Sequence, residues 1–145
     1  MKGIKMSDCR FYINEEERVI TCVIPNTADM LTGYIEQHFQ FADFDMRYLD
    51  FEFLYKKLRM PSSFMGKAVC AEGDEWNEEL GRMIAFSRAK DKCYKSFFKR
   101  ANLLVNTMDR RINNMITSFN DLGEKLEKKK LALNTLIEEK ITPNE

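Results

Sequence analysis

The pattern that most constrains this chain is a repeat of apolar residues in its C-terminal half. Tyr94, Phe98, Ala101, Val105, Met108, Ile112, Met115, Phe119, Leu122 and Leu126 follow one another at alternating intervals of four and three. The series resumes at Leu133 and Leu136, with Lys129 as its one break. A strand cannot use this spacing, because its side chains alternate with period two. On a helix the same spacing draws a single stripe. Kept over successive heptads, it is the pattern of helices that pack on helices in a coiled coil. No proline interrupts the chain between Asp74 and Lys140. Two arrangements satisfy the pattern. One is a single long helix that packs against copies of itself. The other is a helical hairpin turning near Ser118–Gly123 (SFNDLG), where a glycine costs a helix interior about 1 kcal/mol relative to alanine.

The N-terminal half reads differently. Arg10–Asn14 (RFYIN) and Arg18–Ile24 (RVITCVI) are rich in aromatic and β-branched residues and flank the acidic link Glu15–Glu17. They predict an antiparallel hairpin. Pro25-Asn26-Thr27 ends the second strand, and Asn26 or Thr27 can cap a helix from Ala28 to about His38. The aromatic run Phe39, Phe41, Phe44, Tyr48, Phe51, Phe53 and Tyr55 mixes both periodicities, so spacing does not decide its state. Core or oligomer contacts account for such rings better than a base-stacking box. Pro61-Ser62-Ser63 marks a loop, and Gly66–Ala71 (GKAVCA) reads as a third short strand. Glu72-Gly73-Asp74 turns the chain into the helical half. Asp74 is the expected N-cap, with Glu75, Glu78 and Glu79 at the positive end of the helix dipole. The expected fold class is α+β: a small N-terminal antiparallel β-sheet, then long C-terminal helices with coiled-coil-like heptads. The expectation is one domain over 1–145, with a β-rich part (1–73) holding a helical and aromatic insertion (27–61). A helical part (74–140) serves oligomerisation and ligand binding. Three strands cannot cover this much apolar helix, so copies of the chain are expected to do so.

Composition narrows the function classes. Apolar residues make up 44%, including 11 Phe and nine Met, which supports a packed core. The formal net charge is zero, so general attraction to nucleic acid polymers or membranes is not implied. The charge is unevenly placed, however. Phe11 to Glu52 holds nine acidic and two basic residues, and Arg82 to Arg111 holds nine basic and two acidic ones. The four cysteines, Cys9, Cys22, Cys70 and Cys93, form no C-x-x-C pair, and His38 is the lone histidine. Neither a metal site nor a cofactor is expected from that set. The N-terminal MKGIKMSDCR has no apolar run after its charges, and no stretch reaches the ~20 apolar residues of a membrane span. Those readings point to a cytoplasmic protein with reduced thiols.

No catalytic constellation is legible, which makes a non-enzyme the expectation. His38 has no recognisable nucleophile motif around it, and there is no glycine-rich phosphate loop. Glu15-Glu16-Glu17 is better read as a solvated turn than as a carboxylate pair across a cleft. The basic stretch carries more. Arg88, Lys92, Lys95 and Lys99 lie at i, i+4, i+7 and i+11, on one stripe beside the apolar seam. Asn102, Asn106 and Arg110 continue it, and Arg111 follows. The seam is itself polar nearby, at Ser87 and Asp91. A cationic stripe beside a polar interruption suits a pocket at a subunit interface. Arginine and lysine donate to phosphate, asparagine pairs with a base or ribose, and an aromatic ring such as Trp76 stacks on a base. The plainer alternatives are lysines that keep an exposed helix soluble, or pairing of the stripe with the acidic N-terminal half of another copy.

The segment Gly66–Lys90 (GKAVCAEGDEWNEELGRMIAFSRAK), preceded by the hairpin FYINEEERVITCVI, resembles a group of small phage proteins, the anti-Thoeris sponge family. The matched positions are Gly66, Ala68, Cys70, Asp74, Trp76, Gly81, Ala85, Arg88 and Ala89, and they cover well under half the chain. Trp76 stands where that pattern usually carries Phe, Ala71-Glu72 replaces an expected His-Pro, and the Ala28–Pro61 insertion is unusual for it. The resemblance implies a homohexamer assembled from dimers in the cytoplasm of an infected bacterium. It would sequester cyclic ADP-ribose-type immune signals, and in some relatives cyclic oligonucleotides, without cleaving them. The alternative is a protein-binding inhibitor or adaptor of the anti-CRISPR kind, with a Met- and Phe-rich surface that grips a host protein.

Overall fold

The computed structural model describes residues 3–38 and 56–141. After a 3-10 turn at Met6–Asp8, the chain forms β1 (Arg10–Asn14), β2 (Val19–Pro25), α1 (Met30–His38), β3 (Ser63–Val69) and α2 (Glu78–Ile141). The fold class is α+β, as expected. It divides into two compact units, Met1–Leu104 and Val105–Glu145, and the division falls inside α2. The aromatic run from Phe39 to Tyr55 lies outside the described residues.

The first unit is built on a three-stranded antiparallel sheet in the order β1-β2-β3. The hairpin is where the sequence places it, and Phe11 pairs with Cys22 across it. Its connection is tied by Asn14, whose Oδ1 accepts from the Glu17 N–H, and by the Arg18 N–H donating to the Glu15 carbonyl. Arg18 takes a left-handed backbone (φ 55°), so it belongs to the turn and not to β2. β2 is central and alternates cleanly: Ile20, Cys22 and Ile24 are buried, and the residues between them are half-buried.

Three boundaries differ from expectation. α1 begins at Met30 and not Ala28, because the Thr27 hydroxyl donates to the Pro61 carbonyl (2.5 Å) and so ties the loop to the chain entering β3. β3 starts at Ser63, inside the expected loop, and ends at Val69. Ser63 pairs with Pro25, so backbone pairing outweighs the turn-like composition there. Cys70 and Ala71 lie beyond it. The N-cap of α2 is Asn77, not Asp74: Asn77 Oδ1 accepts from the Leu80 N–H at 2.9 Å, the third helical position. The Asp74 N–H instead donates to the Ala71 carbonyl in the turn.

The core lies between the inner sheet face and two helices. Leu31 and Ile35 of α1 join Ile20, Cys22, Ile24, Leu58 and Met60. α2 contributes Ala85, Ala89, Cys93 and Phe97, all four residues apart. That stripe is offset from the heptad seam. Tyr94 is half-buried, and Phe98 is 62% exposed. Apart from Ala101, which packs against the edge of the core, the seam from Phe98 onward therefore adds little to it. Small residues on the buried stripe have a steric reason. A Cβ on Gly66 would lie 2.1 Å from the Ala85 carbonyl oxygen and 2.4 Å from the Ala89 nitrogen, so helix and strand backbones nearly touch.

In the second unit α2 runs on through Val105–Ile141, which settles the one-helix arrangement over the hairpin. Gly123 sits within the helix with open space around its Cα. From Asp109 to Ile141 every residue is exposed, including Ile112, Phe119, Leu122, Leu126 and Leu136, each at more than half of its free surface.

Candidate functional site

The close approach at Gly66 determines what the first two stripe residues do. With α2 against β3, the Arg88 guanidinium donates through Nη1 to the Lys67 carbonyl (2.6 Å), and Lys92 Nζ donates to the Met65 carbonyl (2.9 Å). The match is geometric. Four residues of helix rise about 6 Å, and two residues of strand about 6.6 Å, so i,i+4 cations meet alternate carbonyls of an antiparallel neighbour. β3 closes one side of the sheet, and an exposed strand edge is open to pairing with another chain. Arg88 and Lys92 cap it.

The rest of the stripe is differently placed. Lys95 pairs with Asp91 (2.8 Å) in an exposed i,i+4 bridge, an interaction worth only about 0.3–0.5 kcal/mol. Lys99 and Asn102 are exposed in the first unit. Asn106, Arg110 and Arg111 are exposed in the second. With Val105 taken as heptad position a and Met108 as d, Arg88, Lys95 and Asn102 occupy e positions, directly beside the seam. Lys92, Lys99 and Asn106 occupy b positions, one row further out.

Trp76 is not with them. It lines a cleft of about 360 Å³ where β2, β3 and the start of α2 meet. Ile20, Val69, Leu80 and Ile84 form its apolar wall, and Cys70, Asp74 and Glu75 supply its polar groups. None of the stripe residues lines it. Arg18 braces this corner. Its Nη2 donates to Cys70 Sγ at 2.9 Å and also to the Asp74 carbonyl, while the Cys70 N–H donates to the Arg18 carbonyl. The left-handed Arg18 thus links the hairpin turn to the chain leaving β3. The sequence contained the parts of this cleft but no periodic signal that they converge.

The remaining chemistry-bearing groups are the cysteines and His38. Burial pushes the Cys22 thiol up to about 12, with the neighbouring Cys9 adding to the effect. Burial likewise raises Cys9 and Cys93. Thiols held neutral in this way are poor nucleophiles. All four cysteines are free. His38 stacks on Tyr34 (ring centroids 4.2 Å apart), and its Nδ1 lies 3.0 Å from the Tyr34 carbonyl oxygen, at the end of α1. Among the described residues no group of three or more His, Cys, Asp or Glu is placed to hold a metal ion. No described helix is long and apolar enough to cross a membrane. Comparison with protein-family models, curated proteins and solved structures finds no match.

Proposed function

We propose that this chain is a self-assembling binding protein that does no chemistry of its own and sequesters a phosphate-bearing nucleotide signal between its copies. The observation that carries the reading is the uncovered seam of α2 with donor groups beside it. Phe98, Val105, Ile112 and Phe119 are each more than half exposed, and Lys95 and Asn102 stand at the flanking e positions. When a second helix covers the seam, flanking cations become rim groups of a partly desolvated groove, where bonds to phosphate strengthen. Lys99 and Asn102 are left for a ligand, with Lys95 held by its exposed bridge to Asp91, since Arg88 and Lys92 are engaged with β3. The cyclic ADP-ribose class, and the setting of an infected bacterial cytoplasm, come from the resemblance of Gly66–Lys90 to phage anti-Thoeris sponges. So does a hexamer built from dimers.

The test is native mass spectrometry with cyclic ADP-ribose isomers and cyclic oligonucleotides. The expected result is an oligomer that gains integral copies of an unmodified nucleotide, with at least tenfold weaker uptake after Lys95→Glu with Lys99→Glu. An oligomer that takes up none of these nucleotides overturns the reading. A second reading, an adaptor that grips a host protein, has the Trp76 cleft in its favour. Its volume and apolar wall suit one anchoring side chain of a partner. A stoichiometric host protein, retained by the wild type and lost with Trp76→Ala, would establish it.

A further inference from the structure

Besides Lys140 at its C-terminal end, the seam is interrupted by charge at two internal places, and their positions specify how a partner lies on it. In the heptad register Asp91 occupies an a position and Lys129 a d position. Both are exposed, and the Asp91 side chain keeps 58% of its free surface. A charge at a core position of a coiled coil lowers stability, but it selects among partners and registers that would otherwise be nearly equivalent.

We infer that the occupant of the seam is a second copy of this chain, with its α2 running antiparallel and with Asp91 of each copy facing Lys129 of the other. In antiparallel pairs an a residue shares its layer with a d residue of the partner. Facing Asp91 with Lys129 then fixes every other layer. Ile84 meets Leu136, Phe98 meets Leu122, Val105 meets Met115, and Met108 meets Ile112. Each pairing occurs twice by symmetry, about an axis at Arg110. That axis is within a residue of the midpoint of α2, which spans Glu78–Ile141. The register that pairs the charges is therefore also the one that covers most of the apolar seam. Shifting one heptad either way sets Asp91 against Leu122 or Leu136 and leaves both charges facing an apolar residue across the seam.

A parallel pair does the reverse. It sets Asp91 against Asp91 and Lys129 against Lys129 in the seam, and it brings Lys125 at g beside Lys130 at the following e position. In the antiparallel register the adverse flanking contacts are Arg88 beside Lys130 of the partner and, at the axis, Asp109 beside Asp109 and Arg111 beside Arg111 of the partner. Arg88 is held on the Lys67 carbonyl, and exposed pairs of this kind are weak. The antiparallel register also places Lys140 of the partner over Leu80, beside the acidic groups Asp74 and Glu75 of the cleft. A lysine there lays its stem on apolar surface and keeps its ammonium toward the carboxylates.

This inference rests on the self-assembly reading above, and the experiment separates the two. Sedimentation equilibrium is measured, without nucleotide, on wild type, Asp91→Lys, Lys129→Asp and the double exchange. Each single exchange creates two like-charge contacts per antiparallel pair, and the expected cost is about 100-fold in the dissociation constant. The double exchange restores opposite charges, and association is expected to return to within about tenfold of wild type. Loss of the exposed Asp91–Lys95 bridge is common to Asp91→Lys and the double exchange, so the coupling between sites 91 and 129 isolates the contact between copies. An oligomeric wild type whose four forms associate alike, or whose double exchange is no better than the singles, overturns the antiparallel register and leaves self-assembly standing. A wild type that stays monomeric overturns both and assigns the seam to a different polypeptide.

Discussion

At the scale of single residues, one buried thiol has its titration displaced far from the ordinary value. Cys22 faces the core from the middle of β2, with no exposed surface. Its ordinary value of 9.0 is pushed up to about 12, chiefly because burial penalises the thiolate and secondarily because Cys9 lies beside it. In the unfolded chain the same thiol ionises near 9. The fold therefore holds a proton that the unfolded chain releases, and stability is full below pH 9. It declines as pH rises from 9 towards 12, by up to about 1.4 kcal/mol per pH unit for one group. Urea denaturation of wild type and Cys22→Val at pH 8 and pH 10.5 measures this. The other groups are common to both proteins, so the difference between the two slopes belongs to Cys22 and its contact with Cys9. Equal slopes would show that the thiol contributes nothing to alkaline unfolding. His38 and Arg18 illustrate what single letters concealed. The lone histidine packs on Tyr34, and Arg18, expected in a strand, takes the left-handed turn position and binds Cys70.

At the scale of elements, the decisive contact is α2 against β3. Gly66 is the residue that lets two backbones meet, and it governs whether Arg88 and Lys92 reach the strand carbonyls. Gly66→Ala inserts a methyl group where only backbone atoms are available to yield. Overpacking of this kind typically costs 1–3 kcal/mol. The expected loss is at the top of that range, about 3 kcal/mol in urea denaturation. A cost under about 0.5 kcal/mol would mean that helix and strand lie further apart than described. The hairpin and the long helix were legible because their periodicities are strong. Arg10–Asn14 pairs antiparallel with β2 as the hairpin reading expected, and the segment from Tyr94 to Leu136 read correctly as helix. The start of β3 was not legible, since Ser63 has loop-like chemistry and is recruited by pairing with Pro25. Nor was the N-cap, because Asp74 and Asn77 are equally good caps and the turn takes the first. The stripe was legible as a face. That Arg88 and Lys92 are committed to β3 was not, because nothing local in the sequence specifies which strand lies opposite. Trp76 was singled out as a stacking ring, yet it lies apart from the cations, in a cleft it shares with Ile20, far away in sequence.

At the scale of the whole molecule, the two units differ in what holds them. The first has an interior, and the second is a helical segment whose apolar side chains lack cover within the described chain. Most helix stability in proteins comes from packing of an apolar face, and isolated helices are marginal in water. Helicity beyond Val105 is therefore expected to depend on association, and so on concentration. Phe119→Asp tests this dependence where the seam is 65% exposed in a single copy. The residue touches no part of the core, so the first unit should remain folded. Two copies of the change per pair, each removing a large apolar side chain and placing a carboxylate in the seam, should weaken association by more than 100-fold. Trp76, the one tryptophan, reports on the first unit through its emission, and far-ultraviolet circular dichroism reports on helix content. The expected outcome is unchanged Trp76 emission, reduced helicity at micromolar concentration, and loss of the rise in Tm with concentration expected of the wild type. Helicity that stays constant on dilution of the wild type would show that α2 is stable without a partner, and the argument from the seam to self-assembly would fail. Loss of the Trp76 signal together with helicity would show instead that the two units unfold as one, so that the seam stabilises the first unit as well as the coil.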